Sequence, residues 1–322
     1  MNIRILPMIL LAGGLMFAAS VQAVELPGPL VSPAWLQQHR TEVNVLDVRE
    51  DPGAFVKAPE FTEEKGKKSL ETVGGHIPDA LLLDFSKART TRTIDGREVK
   101  AMLPERPAFE KLMRETGVRA GRPTVIVTDG ASGSDLDMAA RVYWSMKVYG
   151  DDHLAILDGG TSAWINAGLP ISTDPAKTAA GDWSASEERR QFMAGSEDVA
   201  NAAKANLQLV DARPMPFYVG LERKPNIAAA GHIGGAVNFP PDVRAKKSDG
   251  SQHFLGAPEY KSIFSHLGLD PARPSITYCN TGHLASGAWF VLSEVMKTPN
   301  TRMYDGSMTE WTAESRPVVG LP

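Results

Sequence analysis

Four blocks of this sequence occur twice, in the same order. Asn44-Val45-Leu46-Asp47-Val48-Arg49 resembles Gln208-Leu209-Val210-Asp211-Ala212-Arg213, and Gly75-His76-Ile77-Pro78-Asp79-Ala80 resembles Gly231-His232-Ile233-Gly234-Gly235-Ala236. Thr124-Val125-Ile126-Val127-Thr128-Asp129 resembles Pro274-Ser275-Ile276-Thr277-Tyr278-Cys279. Leu157-Asp158-Gly159-Gly160 resembles Tyr304-Asp305-Gly306-Ser307, with Trp164 and Trp311 each six residues beyond the Asp. A period this long means a duplicated domain rather than a solenoid. Whatever one half folds into, the other folds into as well.

Each half reads as short apolar runs alternating with helical stretches, which predicts an α/β fold with a mainly parallel sheet flanked by helices. Val43–Val48, Leu207–Asp211, Pro123–Thr128 and Ser275–Tyr278 read as strands, and Met138–Val148 and Ala285–Met296 as helices. The segment 173–190, with Pro175, Gly181 and a charged Glu187-Glu188-Arg189-Arg190 run, reads as a linker between domains at 24–172 and 191–322. The first domain is longer between its first two blocks, 28 residues from Asp47 to Gly75 against 20 from Asp211 to Gly231. The surplus falls within Asp51–Val73, a charged stretch without periodicity, expected to be a surface loop.

Residues 1–23 read as a secretory signal: a basic start at Arg4, an apolar run from Ile5 to Ala19, and Val21 and Ala23 ahead of the cut. The alternative is a retained membrane anchor. Cleavage after Ala23 would leave a periplasmic or secreted protein with no stable membrane insertion. The net charge of -4 offers no basic face for nucleic acid. Nine of the 12 Met lie beyond the signal segment without clustering as a copper site would require.

The chain has one cysteine, Cys279, so no intramolecular disulfide can form. Its thiol is either a small buried hydrophobe or a reactive group. Cys279 ends a predicted strand and precedes Asn280-Thr281-Gly282-His283-Leu284-Ala285-Ser286, which opens a predicted helix. A tight turn into a helix aims several backbone N–H groups at one point and favours negative charge there. The thiolate is the nucleophilic form of cysteine.

These residues carry a resemblance. The loop from Cys279 to Ala285, the Asp211-Ala212-Arg213 block, Gly231-His232-Ile233, and Asp305-Gly306 with Trp311 resemble the rhodanese family, and specifically its two-domain sulfurtransferases, over nearly the whole mature chain. The resemblance implies tandem rhodanese-like domains, with the first catalytically inactive because Asp129 stands at the Cys position. It implies that the Cys279 thiolate takes a sulfur from a small anionic donor, thiosulfate favoured, and that loop N–H groups from Asn280, Thr281, Gly282, His283 and Leu284 hold the persulfide. A thiol or cyanide then accepts the sulfur, with no cofactor and no metal. Family members often carry basic residues after the Cys, where this chain has Asn280 and Thr281. They also often place an arginine six residues after the strand Asp, where this chain has Phe217. His283 is therefore the candidate for partial positive charge, and Arg244, Lys246 and Lys247 are candidate substrate-binding residues in a facing loop.

Three rival readings follow from the same resemblance. A cysteine phosphatase needs an arginine six residues after the Cys to clamp phosphate, and that residue is Ala285. A low-turnover persulfide carrier serving a protein partner, or a 3-mercaptopyruvate sulfurtransferase, remains open. His76, His232, Asp47 and Asp211 read as structural, and Trp164 and Trp311 as core anchors.

Overall fold

The structure, a computed structural model, describes residues 24–176 and 179–321; the signal-segment expectation lies outside them. Each half forms a five-stranded, wholly parallel sheet, and the two sheets share one strand order. In the first it runs Leu30–Val31, Leu154–Leu157, Thr124–Val127, Asn44–Arg49, Leu81–Asp84. In the second it runs Met193–Ala194, Arg302–Tyr304, Ser275–Tyr278, Gln208–Asp211, Val237–Asn238. The central strands are buried along their whole length. That is why they read as continuous rather than alternating apolar runs.

The outer sheet faces have separate cores. Val45, Val125, Val127 and Trp164 gather in the first domain, and Leu209, Ile276, Tyr278 and Trp311 in the second. The inner faces share one core, in which Leu46, Val48 and Met138 of the first domain are continuous with Val210, Ala288 and Phe290 of the second. Through it the helix Gly133–Val148 packs on the helix His283–Phe290. The two come so close that a Cβ on Gly287 would lie 1.7 Å from the Asp137 carboxylate. Ser286 Oγ donates to Asp137 O across the same contact, at 2.9 Å.

Each domain also sends an antiparallel hairpin onto the other. The hairpin Ala245–Ser248/Ser251–Phe254 gives the Phe254 N–H to Asp158 Oδ1 at 3.1 Å, and the chain just after Thr90–Ile94/Arg97–Met102 gives the Leu103 N–H to Asp305 Oδ2 at 2.7 Å. Asp158 and Asp305 are the acids of the fourth repeated block, so the duplication extends to the join between domains.

Two sequence expectations need correction. The stretch Asp51–Val73 is not irregular: it holds a short helical turn, Pro52–Val56, and an exposed hairpin, Glu60–Glu64/Lys67–Thr72. Strands whose side chains mostly face solvent, as in Glu60–Glu64, lack the alternation that marks a half-buried strand. The 173–190 segment is not a free linker either. Trp183 is buried in the shared core and donates Nε1–H to Asp151 at 3.0 Å, while Arg114 Nε donates to Trp183 O at 2.8 Å.

His76 and His232 take the structural places expected of them. His76 stacks on Phe55 with its ring nitrogens 2.9 and 3.0 Å from the Ile77 and Asp174 carbonyls, and His232 stacks on Tyr218, 2.8 Å from its carbonyl. Trp164 and Trp311 each donate to a carbonyl six residues on, at Pro170 and Pro317.

Candidate active site

Cys279 leaves the buried strand Ser275–Tyr278 and is followed by a three-residue turn into the helix His283–Phe290. Only glycine suits position 282: its φ is +76°, and a Cβ would sit 2.5 Å from Arg141 Nη1 and from Asp305 Oδ1. The loop is tied down from the last helix. The Cys279 N–H donates to Ser307 Oγ at 3.1 Å, and the Met308 and Thr309 N–H groups donate to the Cys279 and Asn280 carbonyls at 3.1 Å. Arg141, from the first domain's long helix, pairs with Asp305 beneath the loop. Cys279 is 2% exposed.

A cavity of about 340 Å³ opens over the cysteine, lined by Asn280, Thr281, His283 and Leu284 of the predicted loop, with Pro214 and Phe217 as an apolar wall. The first domain contributes Glu50, Arg89 and Ser134, and Lys224 stands in the same lining. A larger concavity of about 600 Å³ lies between residues 24–29 and Tyr143, Lys147 and Glu294, but it contains no nucleophile and its central charges are paired. Chemistry, not volume, selects the smaller one.

Arg89 was not legible from the sequence as a site residue. It follows the turn Phe85–Ala88, and its guanidinium lies 4.1 Å from the Phe85 ring centre. It has no ion-pair partner among the described residues. Burial holds its pKa below the usual arginine value, and Arg141 adds to the effect, while Glu50 and Cys279 favour its charge. The repeat does not mark it: Asp47 registers with Leu82 and Asp211 with Asn238, and at that offset Arg89 falls opposite Ala245 and Arg244 opposite Ala88.

The expected facing cations are elsewhere. Arg244 is 3% exposed, pairs with both oxygens of Asp137 at 3.0 and 3.1 Å, and donates to the Ala212 and Phe239 carbonyls. Lys246 lies 3.5 Å from Glu259 on the hairpin, with exposed Lys247 beside it. None of the three lines the cavity. His283 does line it, but as a neutral ring. Burial, reinforced by Arg89, pushes its pKa down to about 3. Its Nε2 lies 3.1 Å from Ser134 Oγ and 3.3 Å from Ser134 O, an interdomain tie.

A further correction concerns which residue replaces the cysteine. Asp47 registers with Val127 and Asp211 with Tyr278. The Thr161 N–H donates to Thr128 O as the Met308 N–H donates to Cys279 O. Thr128 therefore stands at the Cys position, and Asp129 matches Asn280. Strands buried on both faces carry no alternation in sequence, so a one-residue slip goes unseen there and only the pairing register excludes it.

A rhodanese-like domain model matches residues 32–167 and again 196–314. The chain belongs to the rhodanese-like family. A relative from Mycobacterium tuberculosis, provisionally named a thiosulfate sulfurtransferase, is 31% identical over 301 residues, covering 91% of this chain and 96% of its own. The sulfur carrier protein TtuD of Thermus thermophilus is 28% identical over 308 residues, covering 92% and 96%. The solved 3-mercaptopyruvate sulfotransferase SseA from Escherichia coli has the same fold, with a TM-score of 0.71 at 23% identity, covering 87% of this chain and 98% of that one.

Proposed function

We propose that this protein is a sulfurtransferase that moves a sulfane sulfur from a small anionic donor, thiosulfate favoured, through a persulfide on Cys279 to a thiol or cyanide. The observation that carries this reading is the pairing of one loop-held cysteine with the unpaired guanidinium of Arg89 in a single cavity. A thiolate attacks the outer sulfur of thiosulfate; the new bond is Cys279 Sγ–S, and sulfite leaves with the electron pair of the broken S–S bond. The terminal sulfur of the persulfide is anionic, and turn N–H groups at a helix start favour such charge. The acceptor then takes the outer sulfur and returns Cys279 to the thiolate.

Arg89 supports an anionic donor without basic residues in the loop itself. The first domain has threonine at the nucleophile's place, so it serves as the wall that supplies Arg89. We also propose export, with the mature chain starting at Val24; N-terminal sequencing of the soluble exported protein tests this, and full-length protein held in membranes would refute it. A carrier role is the second reading, favoured by the likeness to a sulfur carrier protein. Intact mass after incubation with thiosulfate tests the first step: gain of one sulfur atom is expected, absent in Cys279→Ser. Steady-state turnover with cyanide then separates enzyme from carrier.

A further inference from the structure

The duplication allows one domain to be read against the other at the level of single atoms. In the first domain, Arg49 grips Asp47 through Nε and Nη2 and donates Nη2–H to Gly75 O at 2.9 Å. Its remaining nitrogen, Nη1, donates to the Asp129 carboxylate. In the second domain, Arg213 makes the matching set. Nε reaches Asp211 Oδ1 at 2.9 Å, and Nη2 reaches Asp211 Oδ2 at 2.6 Å and Gly231 O at 2.8 Å. The counterpart of Asp129 is Asn280, one residue beyond the nucleophile. Its side chain is buried, yet its Oδ1 meets no donor. Arg213 Nη1 has no acceptor among the described residues.

The replacement changes the local charge. Asp47, Arg49 and Asp129 sum to one negative charge: burial, opposed by Arg49, raises Asp129 only to about 6, so it is ionised at neutral pH. Asp211, Arg213 and Asn280 sum to zero. An arginine nitrogen that closes on a carboxylate in one domain has no such partner in the other, where the matching residue, Asn280, directly follows the nucleophile. Burial opposes the Arg213 charge, but Asp211, with smaller contributions from Tyr278 and Cys279, holds its pKa above the usual arginine value.

We infer that Arg213 is a second cation of the Cys279 site, aimed from beneath the loop at the anion held there, and that Asn280 keeps it available by not being an aspartate. Arg89 would then meet the donor from the first domain while Arg213 meets the charge on Cys279 and on its persulfide. The inference rests on Cys279 being the nucleophile of the proposed transfer.

Its test needs no sulfur donor. Iodoacetate and iodoacetamide alkylate the same thiolate, so the ratio of their rates cancels the fraction ionised and reads the potential felt by an incoming anion. Removing one buried cation near the sulfur should lower that ratio about tenfold or more. The fall is expected in Arg213→Gln, whereas Arg213→Lys, which keeps the charge, should stay within a few-fold of the parent. Where Arg213→Gln does not fold, Asn280→Asp is read instead; the first domain already holds that Arg–Asp pair, and the ratio should fall by a similar factor. An unchanged ratio in folded Arg213→Gln or in Asn280→Asp overturns the inference, as does an equal fall in Arg213→Lys. A normal ratio pattern with no sulfur gained from thiosulfate would instead count against the proposed donor and leave Arg213's role standing.

Discussion

At the scale of single residues, the site divides its charge between domains. Arg89 is half-buried, unpaired and placed over the cavity. Hydrogen bonds to charged groups contribute about 1.5–3 kcal/mol. Arg89→Gln should therefore lower kcat/KM for thiosulfate roughly tenfold or more, mostly through KM, and steady-state kinetics checks the split. His283 makes a different prediction from the one its sequence position suggests. Since its folded pKa is depressed to about 3, the folded state binds fewer protons than the unfolded chain between there and the ordinary histidine value, near 6.5. Its contribution to stability is present above that value and is lost as pH falls through the window. His283→Gln should flatten the decline in Tm on acidification from neutral, measured by thermal unfolding across pH. No gain of activity below neutral pH is expected from this ring.

Elements were legible in the sequence where burial imposes a pattern, and illegible where partners come from far along the chain. Val43–Val48 and Ser275–Tyr278 announce strands because both faces are covered, and Cys279 announces its loop because Gly282 and a helix follow. Arg89 gave no such signal, and Arg213, though it stands in a repeated block, carried none toward the cysteine. One lies 190 residues before the cysteine and the other 66, and only the shared core brings the first of them in. The one-residue slip that put Asp129 at the cysteine's place has the same origin, since only register fixes it. The turn itself is testable at this scale. Gly282→Ala must accept φ near +76° and a Cβ against Arg141 and Asp305. It should cost about 1–3 kcal/mol and slow alkylation of Cys279, measured by denaturant unfolding and by iodoacetamide kinetics. Gly268→Ala, also at positive φ but with nothing near its Cβ, should cost less and leave alkylation unchanged.

The whole molecule should unfold as one cooperative unit, because its largest core belongs to neither domain alone. Leu46, Met138, Trp144, Val210, Trp289 and Phe290 lie in a single buried cluster. Beneath and beside the nucleophile, buried ion pairs join the halves: Arg141 with Asp305, and Arg244 with Asp137. Breaking such a pair by removing one partner costs about 3–5 kcal/mol, because the other charge stays buried and uncompensated. Asp137→Ala leaves Arg244 in that state, and Arg244 belongs to the second domain. The substitution should therefore destabilise both halves together, by roughly that amount, with the unfolding curve kept as a single transition. The buried Trp144 and Trp289, one in each facing helix, provide the probes: the part of the tryptophan signal that is lost when each is replaced in turn by Phe should give the same midpoint for both, in parent and Asp137→Ala chains. Two separated midpoints, with the second domain melting first, would mean that the shared core couples the halves less tightly than their side chains interlock.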